Sequence, residues 1–96
     1  MKAINSDLVR PTITRTNKTL LYVYRQYMAM TRKDLQREFG LKRDQAYKIM
    51  RYVDTYCREH NITLYYVCGG AKFVRTTYLF RAYNWDIEQI KERLRT

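Results

Sequence analysis

The chain has few of the residues on which enzymes and metal sites depend. Its 96 residues include one histidine, His60, and two cysteines, Cys57 and Cys68. Histidine is the commonest acid–base catalyst, and a structural zinc site takes four Cys or His ligands. His60 falls at a predicted helix end, where a surface or capping role is expected. The nine carboxylates are scattered among basic residues. We therefore predict a protein without catalysis, cofactor or metal.

Long apolar stretches, glycine and proline are also scarce. No stretch approaches the roughly 20 apolar residues that span a membrane, and the first residues lack a signal-peptide pattern. With three glycines and one proline, the chain shows no linker or low-complexity tract. The Gly69-Gly70 pair lacks the Lys-Thr and helix of a phosphate loop. Two cysteines without CxxC spacing fit a reducing compartment. We predict one soluble, cytoplasmic domain with no membrane partner.

Acidic residues are too few to balance the basic ones. Nineteen Lys and Arg against nine Asp and Glu give a net charge of +10. Residues 84–96 contain three of each sign, so the whole excess lies in residues 1–83. A short chain with this charge usually binds a polyanion. The alternative is a basic surface that is simply solvated.

Residues 30–51 carry the strongest local pattern. Thr31 can cap a helix, and Asp34 three places later can complete a capping box. Leu35 and Phe39 then form an apolar stripe at helical spacing. This pattern predicts a short helix that begins beside Thr31.

A glycine separates this helix from a second one. Gly40 accepts a positive φ without a Cβ clash, which suits a tight corner. The second helix is predicted from about Arg43 to His60, and Asn61 can stop it in a left-handed conformation. Its apolar or small positions lie three and four apart: Ala46, Ile49, Met50, Val53 and Cys57.

This pattern resembles a helix-turn-helix. The matching positions are Leu35, Phe39, Leu41, Ala46 and Ile49. Gln36 stands where the motif usually has a small residue, and Lys42 stands where a Ser or Thr cap is common. The resemblance implies that polar residues of the second helix contact DNA. The base-reading candidates are Arg43, Gln45, Tyr47 and Lys48, and the phosphate candidates are Lys42 and Arg51. An ordinary helical hairpin is the alternative.

The first 16 residues lack helical periodicity. They carry Arg10 and Arg15 around a proline, and we predict a basic arm with a short strand over residues 12–16. It is either a frayed terminus or an arm that lies along DNA and contacts phosphate through both arginines. Asn17 is then expected to cap a helix running to about Met28. Its apolar stripe is Leu20, Val23, Tyr24, Tyr27 and Met28.

Beyond residue 61 the pattern changes to alternation. Residues 62–68 and 72–80 are rich in β-branched and aromatic side chains and flank the Gly-Gly pair, which predicts a β-hairpin. Lys72 and Arg75 are its basic residues. Asn84 is expected to cap a last helix running to residue 95. Its apolar residues, Ile87, Ile90 and Leu94, share one side.

The order of arm, three helices, hairpin and helix resembles the winged helix-turn-helix family. The resemblance covers residues 17–96, which follow a basic arm of residues 1–16. It implies a mainly α fold with a β-hairpin (α+β), whose hairpin wing contacts DNA phosphate through Lys72 and Arg75. Size and charge also resemble the small excisionases and regulators of phages and mobile elements.

Ten tyrosines need a separate explanation. Most are expected to be half-buried core residues with a wet hydroxyl. Tyr65, Tyr66 and Tyr78 on the hairpin could instead stack on unpaired bases, since aromatic rings beside positive charge bind single strands.

The leading hypothesis is duplex DNA binding by a transcriptional regulator or an excisionase-type recombination accessory factor. A single-stranded-DNA-binding accessory protein of replication or recombination is the second hypothesis. A module that docks on an acidic protein, such as a recombinase or polymerase, is the third. Homodimerisation is plausible because such regulators commonly bind two half-sites.

Overall fold

The computed structural model describes residues 10–61 and 73–95. In chain order its elements are α1 (Asn17–Gln26), β1 (Ala29–Thr31), α2 (Arg32–Phe39), α3 (Arg43–Glu59), β2 (Phe73–Arg75), α4 (Thr76–Ala82) and α5 (Ile87–Arg95). The described part of the chain is mainly helical with a two-stranded antiparallel sheet, which confirms an α+β fold class.

The corner between α2 and α3 forms as its sequence predicts. The Asp34 N–H donates to Thr31 Oγ1 over 3.2 Å, and the Thr31 N–H donates to Asp34 Oδ2 over 3.0 Å. This reciprocal capping box satisfies two N–H groups at the start of α2. At its end, Gly40 has a φ of 62°, in the left-handed region. The predictions for the cap and the turn are both confirmed.

The predicted stripe of α3 is buried in full. Ala46, Ile49, Met50, Val53 and Cys57 are all at most 2% exposed. They share one core with residues of every other element, among them Leu20, Met30, Leu35, Val74, Leu79 and Ile90. Burial of this stripe turns the opposite side of α3 towards solvent.

A short sheet joins the segment before α2 to the segment before α4. Ala29 pairs with Arg75, Met30 with Val74 and Thr31 with Phe73, in antiparallel register. Met30 and Val74 are both fully buried, so this pair anchors the sheet to the core. The sequence analysis missed β1, since three residues are too few to show alternation.

The prediction of a strand over residues 72–80 is wrong for most of its length. Within the described residues from 73 onward, Phe73–Arg75 is extended and Thr76–Ala82 is helical. Thr76, Leu79, Phe80 and Tyr83 are buried at helical spacing. Burial against α3 therefore outweighs the β-propensity of the Thr-Thr-Tyr sequence, which depends strongly on context. Residues 62–68, the Gly-Gly pair and Lys72 lie outside the described residues.

Several predicted boundaries also differ from the structure. Thr16, rather than Asn17, caps α1, which ends at Gln26 because Tyr27 is extended. Met28 consequently leaves the apolar stripe and is 79% exposed. Residues 12–16 form no strand. At α5, Asp86 Oδ1 accepts from the Glu88 N–H, so Asp86 replaces Asn84 as the capping residue.

The capping box makes a testable contribution to stability. Burial raises the pKa of Asp34, but hydrogen bonds from Thr31 and Arg37 outweigh it and leave the pKa below its ordinary value. A carboxyl pKa that is lower in the folded state stabilises the protein above the unfolded pKa, and this contribution is lost as pH falls through the folded pKa. Asp34→Asn should therefore cost about 1 kcal/mol at pH 7.

Urea unfolding at neutral and acid pH would measure this difference. The cost of Asp34→Asn should disappear once the pH is below the lowered pKa, since the wild-type carboxyl is then also neutral. Asp44→Asn is a matched control, because Asp44 is exposed in the first turn of α3. A cost that persists at low pH would show that the charge of Asp34 is not its source.

Candidate nucleic-acid interface

The first half of α3 presents a continuous polar surface. Lys42, Arg43, Gln45, Tyr47, Lys48 and Arg51 are all exposed, and together they are called the α3 basic face. The buried stripe of the same helix fixes their direction. Within residues 42–51 the single carboxylate is Asp44. The helix therefore presents an excess of positive charge over more than two turns.

The basic residues of this face have no acidic partner among the described residues. The ion pairs between described residues join Arg37 with Asp34 and Glu38, Arg58 with Asp54, Lys91 with Glu88, and Arg95 with Glu92. Five carboxylates are thus paired with cations outside the α3 basic face: two on α2, two on α5 and one on α3. The charges of Lys48 and Arg51 remain available to an external anion.

Tyr47 joins α3 to the start of α2. The guanidinium carbon of Arg43 lies 5.6 Å from the centre of its ring, and that of Arg32 lies 5.5 Å away. Both distances fit a cation–π contact. A hydrogen bond with Arg43, helped by the charge of Arg32, lowers the pKa of the Tyr47 hydroxyl below its ordinary value. The sequence analysis did not identify Arg32 as a site residue.

The sequence signal that concerns Arg32 is its four-residue spacing from Gln36 along α2. Both residues therefore fall on one side of α2, and the Arg32 guanidinium donates to Gln36 Oε1. The contact of Arg32 with Tyr47 depends on how α2 and α3 cross, which no local pattern gives. Arg32 therefore places one further cation, from α2, beside the α3 basic face.

Gln45 has a structural role in addition to its predicted one. The Lys42 N–H donates to Gln45 Oε1 over 2.8 Å, which caps α3 without a Ser or Thr before it. Recognition of adenine by glutamine uses both the carbonyl and the amide group. Since its carbonyl is engaged, Gln45 presents only N–H donors to a ligand unless this cap opens.

The arginines of the arm contact the protein itself. Arg15 Nη2 donates to the Phe39 carbonyl over 2.5 Å, at the C-terminus of α2. The Arg10 guanidinium lies 5.4 Å from the ring centre of Tyr83. The Tyr83 hydroxyl donates to the Pro11 carbonyl over 2.6 Å, and burial raises its pKa. The described part of the arm therefore packs on the domain.

Of the remaining predicted residues, Arg75 and Tyr78 are described by the structure, and they lie on different elements. Arg75 is half-buried at the end of β2, and Tyr78 is half-buried on α4. The Arg81 guanidinium lies 5.4 Å from the ring centre of Tyr78. Tyr65, Tyr66 and Lys72 lie outside the described residues. Tyr78 thus belongs to a helix packed on the core and not to a hairpin surface.

The described ranges contain no cluster of three or more His, Cys, Asp or Glu side chains with the geometry of a metal site. Within the same ranges, no helix combines the length and the apolar character needed to cross a membrane. Comparisons of the chain with protein-family models, with curated proteins and with solved structures found no match.

Proposed function

We propose that this protein binds duplex DNA without catalysis, and that it does so in the cytoplasm as a transcriptional regulator or an excisionase-type recombination accessory factor. The observation that carries the proposal is the α3 basic face. Its cations are exposed and form no ion pair with an acidic side chain of the described residues. The opposite side of the helix is buried in the core. Such a helix fits the major groove, which admits one α-helix.

A winged helix arrangement is part of the proposal. It is supported by the pairing of β1, before α2, with β2, after the connection that follows α3. In the sequence, one strand of this sheet precedes α2 and the other follows α3. The burial of Met30 and Val74 holds the sheet against the same core as α3, so α3 has a fixed orientation relative to it.

The residues of the interface divide into two roles in this proposal. Arg43 and Lys48 contact base edges from the first turns of α3, where residues of a reading helix reach bases. Tyr47 supports Arg43 through its ring. Lys42 and Arg51 contact phosphate, which positions the helix without reading sequence.

Two alanine variants test this division. Arg43→Ala should reduce the preference for the cognate duplex over random duplex by about 1–3 kcal/mol, because an arginine–guanine pair is bidentate. Arg51→Ala should weaken both duplexes equally and reduce the slope of log affinity against log salt by about one. Binding titrations at two salt concentrations with both duplexes measure these quantities, and the DNA flanking the protein's own gene is the first cognate candidate.

The same titrations distinguish the rival functions. Stronger binding of a single-stranded oligonucleotide than of duplex of equal length would favour a single-strand accessory protein. An affinity that does not change with salt would exclude the nucleic-acid functions and leave docking on an acidic protein. Circular dichroism of each variant controls for damage to α3.

A further inference from the structure

A cleft lined by two arginines includes none of the residues of the α3 basic face. It has a volume of about 370 Å³ and lies between the end of α1, the residues before β1 and the start of α4. This volume lies within the range of small-molecule sites. The residues that line this cleft, called the α1–α4 cleft, are Tyr24, Arg25, Tyr27, Met28, Arg75, Thr76 and Thr77.

The residues that line the cleft include two arginines and no carboxylate. Arg25 is exposed on the last turn of α1, and Arg75 is half-buried at the end of β2. Neither belongs to an ion pair between described residues, and no carboxylate lines the cleft. Two guanidinium groups that line one cleft give it a positive charge that attracts anions.

One of the lining residues also has a buried polar atom without a hydrogen-bond partner within the described residues. Thr76 is 3% exposed, and its Oγ1 is the one buried side-chain oxygen or nitrogen that lacks a partner within the described residues. Its backbone N–H donates to the Met28 carbonyl over 3.0 Å. A buried hydroxyl without a partner destabilises the folded state, so the unpaired hydroxyl of Thr76 in the wall of a cleft with two arginines points to a ligand with acceptor oxygens.

The apolar part of the lining is unusual as well. Met28 is 79% exposed and lines the cleft together with the half-buried residues Tyr24 and Tyr27. An exposed, flexible thioether next to aromatic rings suits contact with the body of an organic ligand. The cleft therefore combines an anion-binding part with an apolar wall.

We propose that the α1–α4 cleft binds a phosphate group, held by Arg25 and Arg75. Arginine binds phosphate through two parallel N–H···O bonds, so planar guanidinium groups select it. The hydroxyl of Thr76 donates to a phosphate oxygen after rotation of its side chain, and Met28 contacts the rest of the ligand. The group belongs either to a free phosphomonoester, such as a nucleotide, or to a DNA backbone.

A ligand in this cleft would also contact the segment that leads into α2. Met28 precedes β1, and β1 ends at Thr31, the capping residue of α2. The cleft is thus connected by three residues to the helix that supports the α3 basic face.

Methionine methyl NMR can test the site with defined probes. The chain has four methionines, so the methyl signal of Met28 can be assigned by substitution. We expect this signal to shift saturably on addition of inorganic phosphate or AMP, with dissociation constants of the order of millimolar. A separate titration with random duplex, in Arg43→Ala protein as well as wild type, tests the DNA backbone as the source.

The variants make the test specific. Arg25→Ala and Arg75→Ala should each weaken binding about tenfold, as expected for loss of a charge-assisted contact. Arg81→Ala removes an exposed arginine of α4 that does not line the cleft and should leave binding unchanged. Thr76→Val should keep or raise the unfolding free energy while weakening binding.

Saturable shifts with phosphate, AMP or duplex that are lost in Arg25→Ala and Arg75→Ala support the proposal and identify the source. No saturable shift with any of the three probes overturns it, as does equal weakening in Arg81→Ala. Because the readout is the Met28 methyl group, this failure is distinct from failure of the duplex binding proposed for α3.

Discussion

Reversal of two charges on the α3 basic face, Lys42→Glu with Arg51→Glu, is expected to lower the affinity for duplex DNA roughly 100-fold at moderate salt. Each cation that contacts phosphate releases counterions, so the salt slope should fall by about two. Each new glutamate would also repel the backbone. Fluorescence anisotropy with a labelled random duplex at several salt concentrations measures both effects.

A second double variant controls for net charge. Lys18→Glu with Arg81→Glu changes the charge of the chain by the same amount, but these exposed residues lie on α1 and α4. It should weaken binding only a few-fold through the long-range field. Equal loss in both double variants would mean that the protein binds DNA through its overall charge and not through α3.

Replacement of a buried leucine in α2 is expected to have the largest effect on stability. Leu35 is fully buried in the core shared with α3. Leu35→Ala should reduce the free energy of unfolding by about 2–5 kcal/mol, because it removes buried methyl groups and leaves a cavity. Small domains are stable by only about 5–15 kcal/mol, so the variant should be partly unfolded at elevated temperature.

Leu94→Ala is the matched comparison. The chemical change is identical, but Leu94 is 43% exposed on α5, and the expected cost is about 0.5 kcal/mol. Urea unfolding of both variants gives the two values. Similar costs would show that α2 does not pack on the core in the way that the structure describes.

The corner between α2 and α3 could be predicted because its determinants are local. Thr31 and Asp34 are three residues apart, and Gly40 accepts a positive φ without a Cβ clash. The buried stripe of α3 follows from the helical period, and the exposure of Arg43 and Lys48 follows from that stripe. Each of these signals involves residues that are at most one or two helical turns apart in the sequence.

The elements that were missed depend on contacts that are distant in sequence. β1 exists because Met30 pairs with Val74, 44 residues later. Thr76 and Tyr78 have β-forming side chains, yet α4 forms because Leu79 is buried in the common core. The contact between Arg32 and Tyr47 likewise depends on the crossing of two helices, which is a property of tertiary packing and not of either segment.

The contact of Arg15 with the corner has a consequence for how this sequence can vary. A Cβ atom at Gly40 would collide with the Arg15 guanidinium, which donates to the Phe39 carbonyl. Asparagine is otherwise acceptable at a left-handed helix end, but here it would displace the arginine and expose that carbonyl. Among homologous chains, a side chain at position 40 should therefore be accompanied by loss of the contact between position 15 and the carbonyl of position 39, through a shorter residue at 15 or a displaced arginine.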